Sequence, residues 1–572
     1  MVALGPDRPA AEGHGVAARI ERQDLLGRIG RLVHPIGFLL AGLAFGAALT
    51  PSLLPRDPLM QGLLAGGVAA VAYEIGGFLD WLWRFLGLPR PPRAWQVGTG
   101  LCCAGLALGT AALCLSWAAG WQNATRAVSG LEPVDTSFPL TIALIGVTVF
   151  LVLWGLFRLF GLVWRWADRQ LDRVLPPRIA RVVGLGIALW LFWALGDGLL
   201  IQWAFRVADA SFEAADNFIE PDIAQPLDPL KSGSAASLID WQEMGRWGRS
   251  FVANAPSQAE IAAFAGPQAK DPVRVYVGRR SADTEQERAD LALQELIRVG
   301  GFDRSALVVA VPVGTGWMDP GAHDTLDFML GGDVATVGVQ YSYLTSVLSL
   351  LAHPEYGVDQ SRALFDTIYA YWTRLPRDHR PKLYLFGLSQ GAFNSQATLP
   401  LLDLFGDPIN GALWAGSPFF SRFWSAVRDR RQPDSPAWRP RYGNGSLVRV
   451  MTQDGADPSY ADMPWGPTRL VFLNYGSDPI VAFTTAVGVH PPAWLDKPRA
   501  PDVPPELRWY PIVTMFQLAL DSAISLDVPR HGHNYVAEDY IGAWAEVLAP
   551  EDWSAERAAE LKAIFAKRGP AF

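Results

Sequence analysis

Lys382-Leu383-Tyr384-Leu385-Phe386-Gly387-Leu388-Ser389-Gln390-Gly391 runs an apolar, strand-like segment into a G-x-S-x-G turn, and Ala392–Leu402 beyond it reads as helix. A serine at the apex of a strand–turn–helix is the setting in which a hydroxyl is lifted above a sheet as a nucleophile. The turn holds Ser389 in a strained conformation with helix and strand packed close, so its flanking positions favour residues without a bulky side chain. Five residues with three fixed positions occur by chance, so the pattern draws its weight from the strand before it and the helix after it.

Outward from this stretch, β-branched runs alternate with helical ones. Val273–Val277, Ala306–Val313, Ala335–Tyr341, Gly411–Ala415 and Leu470–Asn474 read as strands, and Glu285–Val299 and Ser361–Leu375 as helices. Such alternation predicts a mostly parallel sheet with helices on both faces, here over residues 270–572. Residues 206–269, containing proline and acidic residues, read as a connector with some helix.

In this architecture the acid and the base follow the nucleophile in the order Ser, Asp or Glu, His. Asp478, in Tyr475-Gly476-Ser477-Asp478-Pro479, stands just past a strand end, where functional groups gather in open α/β sheets. Pro529-Arg530-His531-Gly532-His533-Asn534-Tyr535 supplies two histidines; His533 is the expected base, with His531 the alternative. The expected oxyanion donors are the N–H of Gln390 and, in the loop Pro312-Val313-Gly314-Thr315-Gly316-Trp317, that of Thr315 or Gly316. Trp317, Tyr341, Tyr343, Trp414, Phe419 and Phe420 follow or end strands and either suit an apolar acyl pocket or simply fill the core or face the bilayer interface. The arginine- and proline-rich insertion Arg422–Tyr442 is a candidate basic lid for anionic headgroups.

The first two hundred residues are of another kind. The 572-residue chain is 50% hydrophobic and 18% charged, with a mean hydropathy of +0.14, and the apolar excess concentrates before about residue 205. A membrane-spanning helix needs roughly 20 apolar residues, and five stretches qualify: 36–54, 60–80, 96–119, 138–160 and 181–204. Together they predict a helical membrane domain over 34–205, behind a cytoplasmic segment 1–33. The leader reads as retained, because no small-residue cleavage site follows it. Arg19, Arg22, Arg28 and Arg31, then Arg84, Arg90 and Arg93, then Arg165, Arg169, Arg173, Arg178 and Arg181 occupy alternate loops. By the positive-inside rule this places the N-terminus inside the cytoplasmic membrane and the C-terminal domain on its outer face. Glu74, Asp80 and Asp197, in or at the ends of spans, are either functional carboxylates or helix-end and interhelical partners.

A net charge of −8 gives no electrostatic case for nucleic acid binding. Three cysteines in one apolar stretch, Cys102, Cys103 and Cys114, argue against a disulfide framework or a zinc site. No metal or cofactor is expected.

The chain resembles bacterial α/β-hydrolase family proteins that join a multi-pass N-terminal membrane domain to a C-terminal hydrolase domain. The resemblance rests on Thr50-Pro51-Ser52-Leu53-Leu54-Pro55-Arg56, Ser281-Ala282-Asp283-Thr284 with Glu295, Gly314-Thr315-Gly316-Trp317 with Asp319-Pro320, Gly387-Leu388-Ser389-Gln390-Gly391, and Gly532-His533 with Tyr535. Arg530 departs from it, standing where a glycine is expected. The resemblance implies a serine-hydrolase fold attached to a membrane and no particular substrate. The expected activity is cleavage of an acyl ester, of a lipid or envelope component in preference to a water-soluble one, through Ser389, Asp478 and His533. An acyltransferase with the same triad is the nearer alternative, and a non-catalytic membrane scaffold or transport protein the farther one.

Overall fold

The computed structural model describes residues 34–89, 92–194, 212–213, 215–344, 354–399, 406–453 and 463–568. The chain forms two compact units: the first takes in Met1–Pro51, Arg56–Asn123 and Val134–Leu162, the second Ser52–Pro55, Ala124–Pro133 and Val163–Phe572.

The N-terminal helices are α1 (Pro35–Ala48), α2 (Pro58–Phe85), α3 (Arg93–Val128), α4 (Pro139–Leu171) and α5 (Pro177–Trp193). Four begin on proline, whose fixed φ suits the first helical position and whose missing N–H is no loss there. Among the described residues three helices, not five, are long and apolar enough to cross a membrane: Pro58–Phe85, Gly98–Val128 and Pro139–Leu171. With 14 residues, α1 rises only about 21 Å against a hydrocarbon core of about 30 Å. With 17 residues, α5 also falls short, and the remainder of the fifth expected span, with Asp197, lies outside the described residues, as do Arg19, Arg22, Arg28, Arg31 and Arg90. The two described carboxylates have partners: Glu74 pairs with Arg158 at 4.0 Å, and Asp80 with His34 at 3.3 Å and with Arg84. Glycines let α1 and α2 approach closely, since a Cβ on Gly76 would lie 2.4 Å from the Gly37 Cα.

In the second unit seven strands, β1 (Val273–Val277), β2 (Ala306–Val311), β3 (Val334–Val339), β4 (Lys382–Leu388), β5 (Gly411–Ala415), β6 (Val448–Met451) and β7 (Arg469–Leu473), form one sheet in the order β1-β3-β2-β4-β5-β7-β6. Every pairing is parallel. A parallel sheet is covered on both faces, which is why the inner strands read as unbroken apolar runs and β1 to β3 are buried throughout. Pro312 ends β2 two residues earlier than expected, because it has no N–H to continue the ladder. The short β6 goes unanticipated: it is four residues long behind the turn-forming Gly443-Asn444-Gly445-Ser446, and its Arg449 breaks the apolar run while pairing with Glu546 at 2.7 Å.

The helices of this unit are α6 (Gly245–Ala253), α7 (Gln258–Ala265), α8 (Glu285–Arg298), α9 (Pro320–Met329), α10 (Pro354–Trp372), α11 (Gln390–Ala397), α12 (Arg422–Asp429), α13 (Pro479–Ala482), α14 (Val513–Ala523), α15 (Ala537–Leu548) and α16 (Ala555–Arg568). The helix expected over 361–375 begins at Pro354, and the one expected over 392–402 begins at Gln390 and ends at Ala397, with 400–402 outside the described residues.

Residues 206–269 do not act as a connector where they are described. Trp241, Phe251, Ile261 and Phe264 share one core with the strands. The buried Glu295 of α8 accepts hydrogen bonds from the Ser232 and Ser237 hydroxyls and the Leu238 N–H at 2.6–3.0 Å. Ser52–Pro55 is likewise built in: Leu53 and Leu54 are buried, and the Leu53 N–H donates to Asp521 Oδ2 at 3.2 Å.

Candidate active site

β4 is the middle strand, and its C-terminal end carries Ser389 at φ 57°, ψ −123°. Non-glycine residues rarely adopt positive φ, and such strain persists only where the surroundings enforce it. Here they do. A Cβ on Gly387 would lie 2.5 Å from the Gly391 carbonyl carbon, and one on Gly391 only 2.2 Å from the Val311 oxygen. Backbone therefore presses on backbone at both glycines, and the Ser389 N–H is held by the Ala415 oxygen at 3.0 Å.

Asp478 follows β7 and caps α13, its Oδ1 accepting from the Ile480 and Val481 N–H groups at 2.9 and 3.4 Å. Its Oδ2 takes His533 Nδ1 at 2.7 Å and the Tyr535 hydroxyl at 2.8 Å. The far ring nitrogen, His533 Nε2, is buried and has no hydrogen-bond partner among the described residues. The imidazole lies over Gly416, where a Cβ would stand 2.6 Å from His533 Cε1, and Gly416 directly follows the residue that holds the Ser389 N–H. The fold thus brings Asp478 and His533 into contact and carries both toward the Ser389 turn. The other histidine is turned elsewhere: His531 Nδ1 lies 3.4 Å from the Val128 oxygen, and its ring meets Tyr475 edge-on.

Two supports around this pair have no short-range signature. Ser477 donates both its N–H and its hydroxyl to Asp502 Oδ2, at 2.9 and 2.8 Å, and its Oγ accepts the Gly532 N–H at 3.0 Å, joining the loop of Asp478 to that of His533. Tyr535 stacks on Tyr475 at 4.3 Å, and the Tyr475 hydroxyl donates to Asp539 at 2.6 Å. The only sequence hint was Tyr535, two residues past His533.

The loop after β2 meets the Ser389 turn at Pro312, whose oxygen would lie 2.9 Å from a Cβ on Gly391, but its donors are unequal. Gly316 gives its N–H to the Val313 oxygen at 2.8 Å, inside its own turn, so that N–H is spent. Thr315 lies beside it with its carbonyl held by Gln340 Nε2 at 3.1 Å, and Gln390 is the buried first residue of α11.

The expected pocket aromatics divide. Trp414 is fully buried in β5, its Nε1 donating to Ser395 Oγ at 3.0 Å between Phe423 and Phe472, so it is a core residue. Tyr341 is also buried, whereas Tyr343 and Trp317 are half-buried. Phe419 meets Phe420 and Phe483 edge-on, each at 5.0 Å, and Phe420 meets Phe393 of α11 at 5.1 Å. This cluster draws on the segments after Ser389, after β5 and after Asp478. The insertion 422–442 is anchored to the domain: α12 buries Trp424 and Val427 in the core of the sheet, Trp424 meets Phe472 at 5.5 Å, and Arg428, Arg431 and Arg441 engage Asp429, Ser435 and Asp434. A cavity of about 450 Å³ lined by Ser129, Gln453, Asp502, Arg530 and His531, among others, includes none of Ser389, Asp478 and His533.

Family comparison matches residues 273–561 to the Alpha/beta-hydrolase family and residues 49–256 to the Alpha/beta-hydrolase family N-terminus. No curated protein and no solved structure gives a match. With both models matched in chain order over the same fold that the strands build, the chain belongs to the alpha/beta-hydrolase family.

Proposed function

We propose that the protein is a membrane-associated serine hydrolase that cleaves an acyl ester through an acyl-enzyme on Ser389. As Ser389 Oγ attacks the acyl carbonyl, its proton passes to His533 Nε2, while Asp478 holds the Nδ1–H and steadies the imidazolium. The proton then goes to the departing alcohol, and water releases the acyl group by the same route. The N–H groups of Gln390 and Thr315 serve the developing oxyanion.

The observation that carries this reading is the 2.7 Å bond from His533 Nδ1 to Asp478, which leaves Nε2 buried and, among the described residues, unpartnered, with the ring over Gly416, the neighbour of the residue that holds the Ser389 N–H. The Phe393, Phe419, Phe420 and Phe483 cluster favours an apolar acyl group, and the long apolar helices favour a substrate met at a membrane. Hydrolysis and acyl transfer share the acyl-enzyme and part only at the acceptor.

The test is covalent labelling by a fluorophosphonate in membranes. The wild-type chain is expected to label, and Ser389→Ala and His533→Ala are not; a folded wild type that stays unlabelled would sink the proposal. The membrane face on which the unit works depends on how many helices cross, and a reporter fused after Phe572 reads it directly.

A further inference from the structure

We propose that Tyr535 is a positioning residue that tunes the basicity of His533 by sharing the acceptor oxygen of Asp478. This deepens the hydrolase reading and rests on it for its catalytic meaning.

Oδ2 of Asp478 receives two donors, His533 Nδ1 at 2.7 Å and the Tyr535 hydroxyl at 2.8 Å, while Oδ1 is engaged by backbone N–H groups. A carboxylate oxygen that already accepts one strong hydrogen bond pulls less on a second proton. The phenol therefore weakens the pull of Asp478 on the Nδ1 proton relative to what an unshared carboxylate oxygen would exert. It also blocks rotation of the carboxylate, since either oxygen leaving its place would strand a buried donor.

The phenol is built for this role. The Tyr535 ring is fixed by stacking on Tyr475 at 4.3 Å and 12°, and its oxygen accepts the Tyr475 N–H at 3.3 Å. Burial first, and the Asp478 charge second, hold the hydroxyl well above the ordinary tyrosine range, so it stays protonated and remains a donor.

The other ionisable groups facing the pair are Tyr475 on the acid loop, Asp539 and Tyr540 on α15, Arg530 and His531 on the base loop, and Asp502 through Ser477. Among the described residues only His533 and Tyr535 place a side-chain donor on Asp478.

Two readouts on the full-length protein test this. The ring carbon resonance of His533, assigned by its loss in His533→Ala, is followed against pH by carbon-13 NMR, and fluorophosphonate labelling is followed over the same range. In Tyr535→Phe the imidazole midpoint is expected to rise by about half to one pH unit, and the acid limb of labelling to move with it, with a several-fold lower plateau. Tyr535→3-fluorotyrosine, a stronger donor that keeps the fold, should shift the midpoint the other way. Tyr540→Phe, which removes a buried hydroxyl without touching Asp478, controls for lost packing. An imidazole midpoint unchanged in both Tyr535 variants overturns the proposal, whatever the labelling shows. A midpoint that shifts in a wild-type background that never labels leaves Tyr535 as a tuning group and fails the hydrolase reading instead.

Discussion

The two sides of the site are held by different physics. On the Ser389 side the constraint is backbone against backbone: Gly387, Gly391 and Val311 leave no room for a single methyl group. On the Asp478 and His533 side the constraint is donors and acceptors: Gly532, Ser477 and Asp502 form one buried chain of hydrogen bonds, and Tyr535 donates to Asp478. The first kind is a steric threshold, while the second is graded, because each hydrogen bond contributes a modest net amount and its loss leaves one group unsatisfied. Substitutions on the two sides should therefore fail differently.

The largest effect is expected from Gly391→Ala, whose Cβ would enter the Val311 carbonyl. Overpacking costs about 1–3 kcal/mol and more where backbone cannot move, so the variant should lose both its thermal transition and its labelling; a folded, labelled Gly391→Ala would break the comparison at its steric side. Asp478→Asn comes next. It keeps the shape but supplies the wrong hydrogen-bonding partner to Nδ1, and a loss of about 10⁴ in labelling rate with little change in unfolding temperature is expected. Ser477→Ala removes the tie between the two loops and strands the Gly532 N–H. A cost of about 1–3 kcal/mol should appear as a lower unfolding temperature with a smaller, roughly tenfold loss of labelling rate.

The smallest effect concerns pH. Burial pushes the Asp539 carboxyl up to about 7 against its bond from Tyr475. The unfolded chain loses this proton near 4 and the folded one near 7, so between those values the folded state binds more protons. Stability is accordingly lost as pH rises through that window. Asp539→Asn should flatten the fall in unfolding temperature between pH 4 and 7 and leave the variant the more stable of the two at pH 8. A wild-type profile that is flat there would remove the assignment.

Legibility in sequence followed the same divide. The Ser389 turn was readable because its cause is local: glycines two residues to either side of a serine, a strand before and a helix after. Asp478 and His533 were readable through chain order and strand ends, and His531 lost its place only when its ring was seen on Val128. Tyr535, Ser477, Asp502 and Gly416 were not readable as parts of the site, because their partners lie up to 60 residues or more away and nothing in a tyrosine or serine announces which carboxylate it will meet. Residues 206–269 failed for a related reason: their apolar runs are short and separated by polar and proline-containing stretches, and the contacts that gather them, such as those to the buried Glu295, are made with a distant helix.

What the sequence determined by itself was the division into apolar helices and an alternating α/β region and the parallel sheet, and it named the serine, acid and base proposed above, since periodicity, turn chemistry and chain order are properties of neighbours along the chain. Tertiary structure decided how many of the described helices are long enough to span, that Trp414 is core, that Gly316 spends its N–H within its own loop, and that a tyrosine shares the oxygen of Asp478. Those outcomes depend on helix length, burial and the direction of single hydrogen bonds, which exist only once distant segments are packed together.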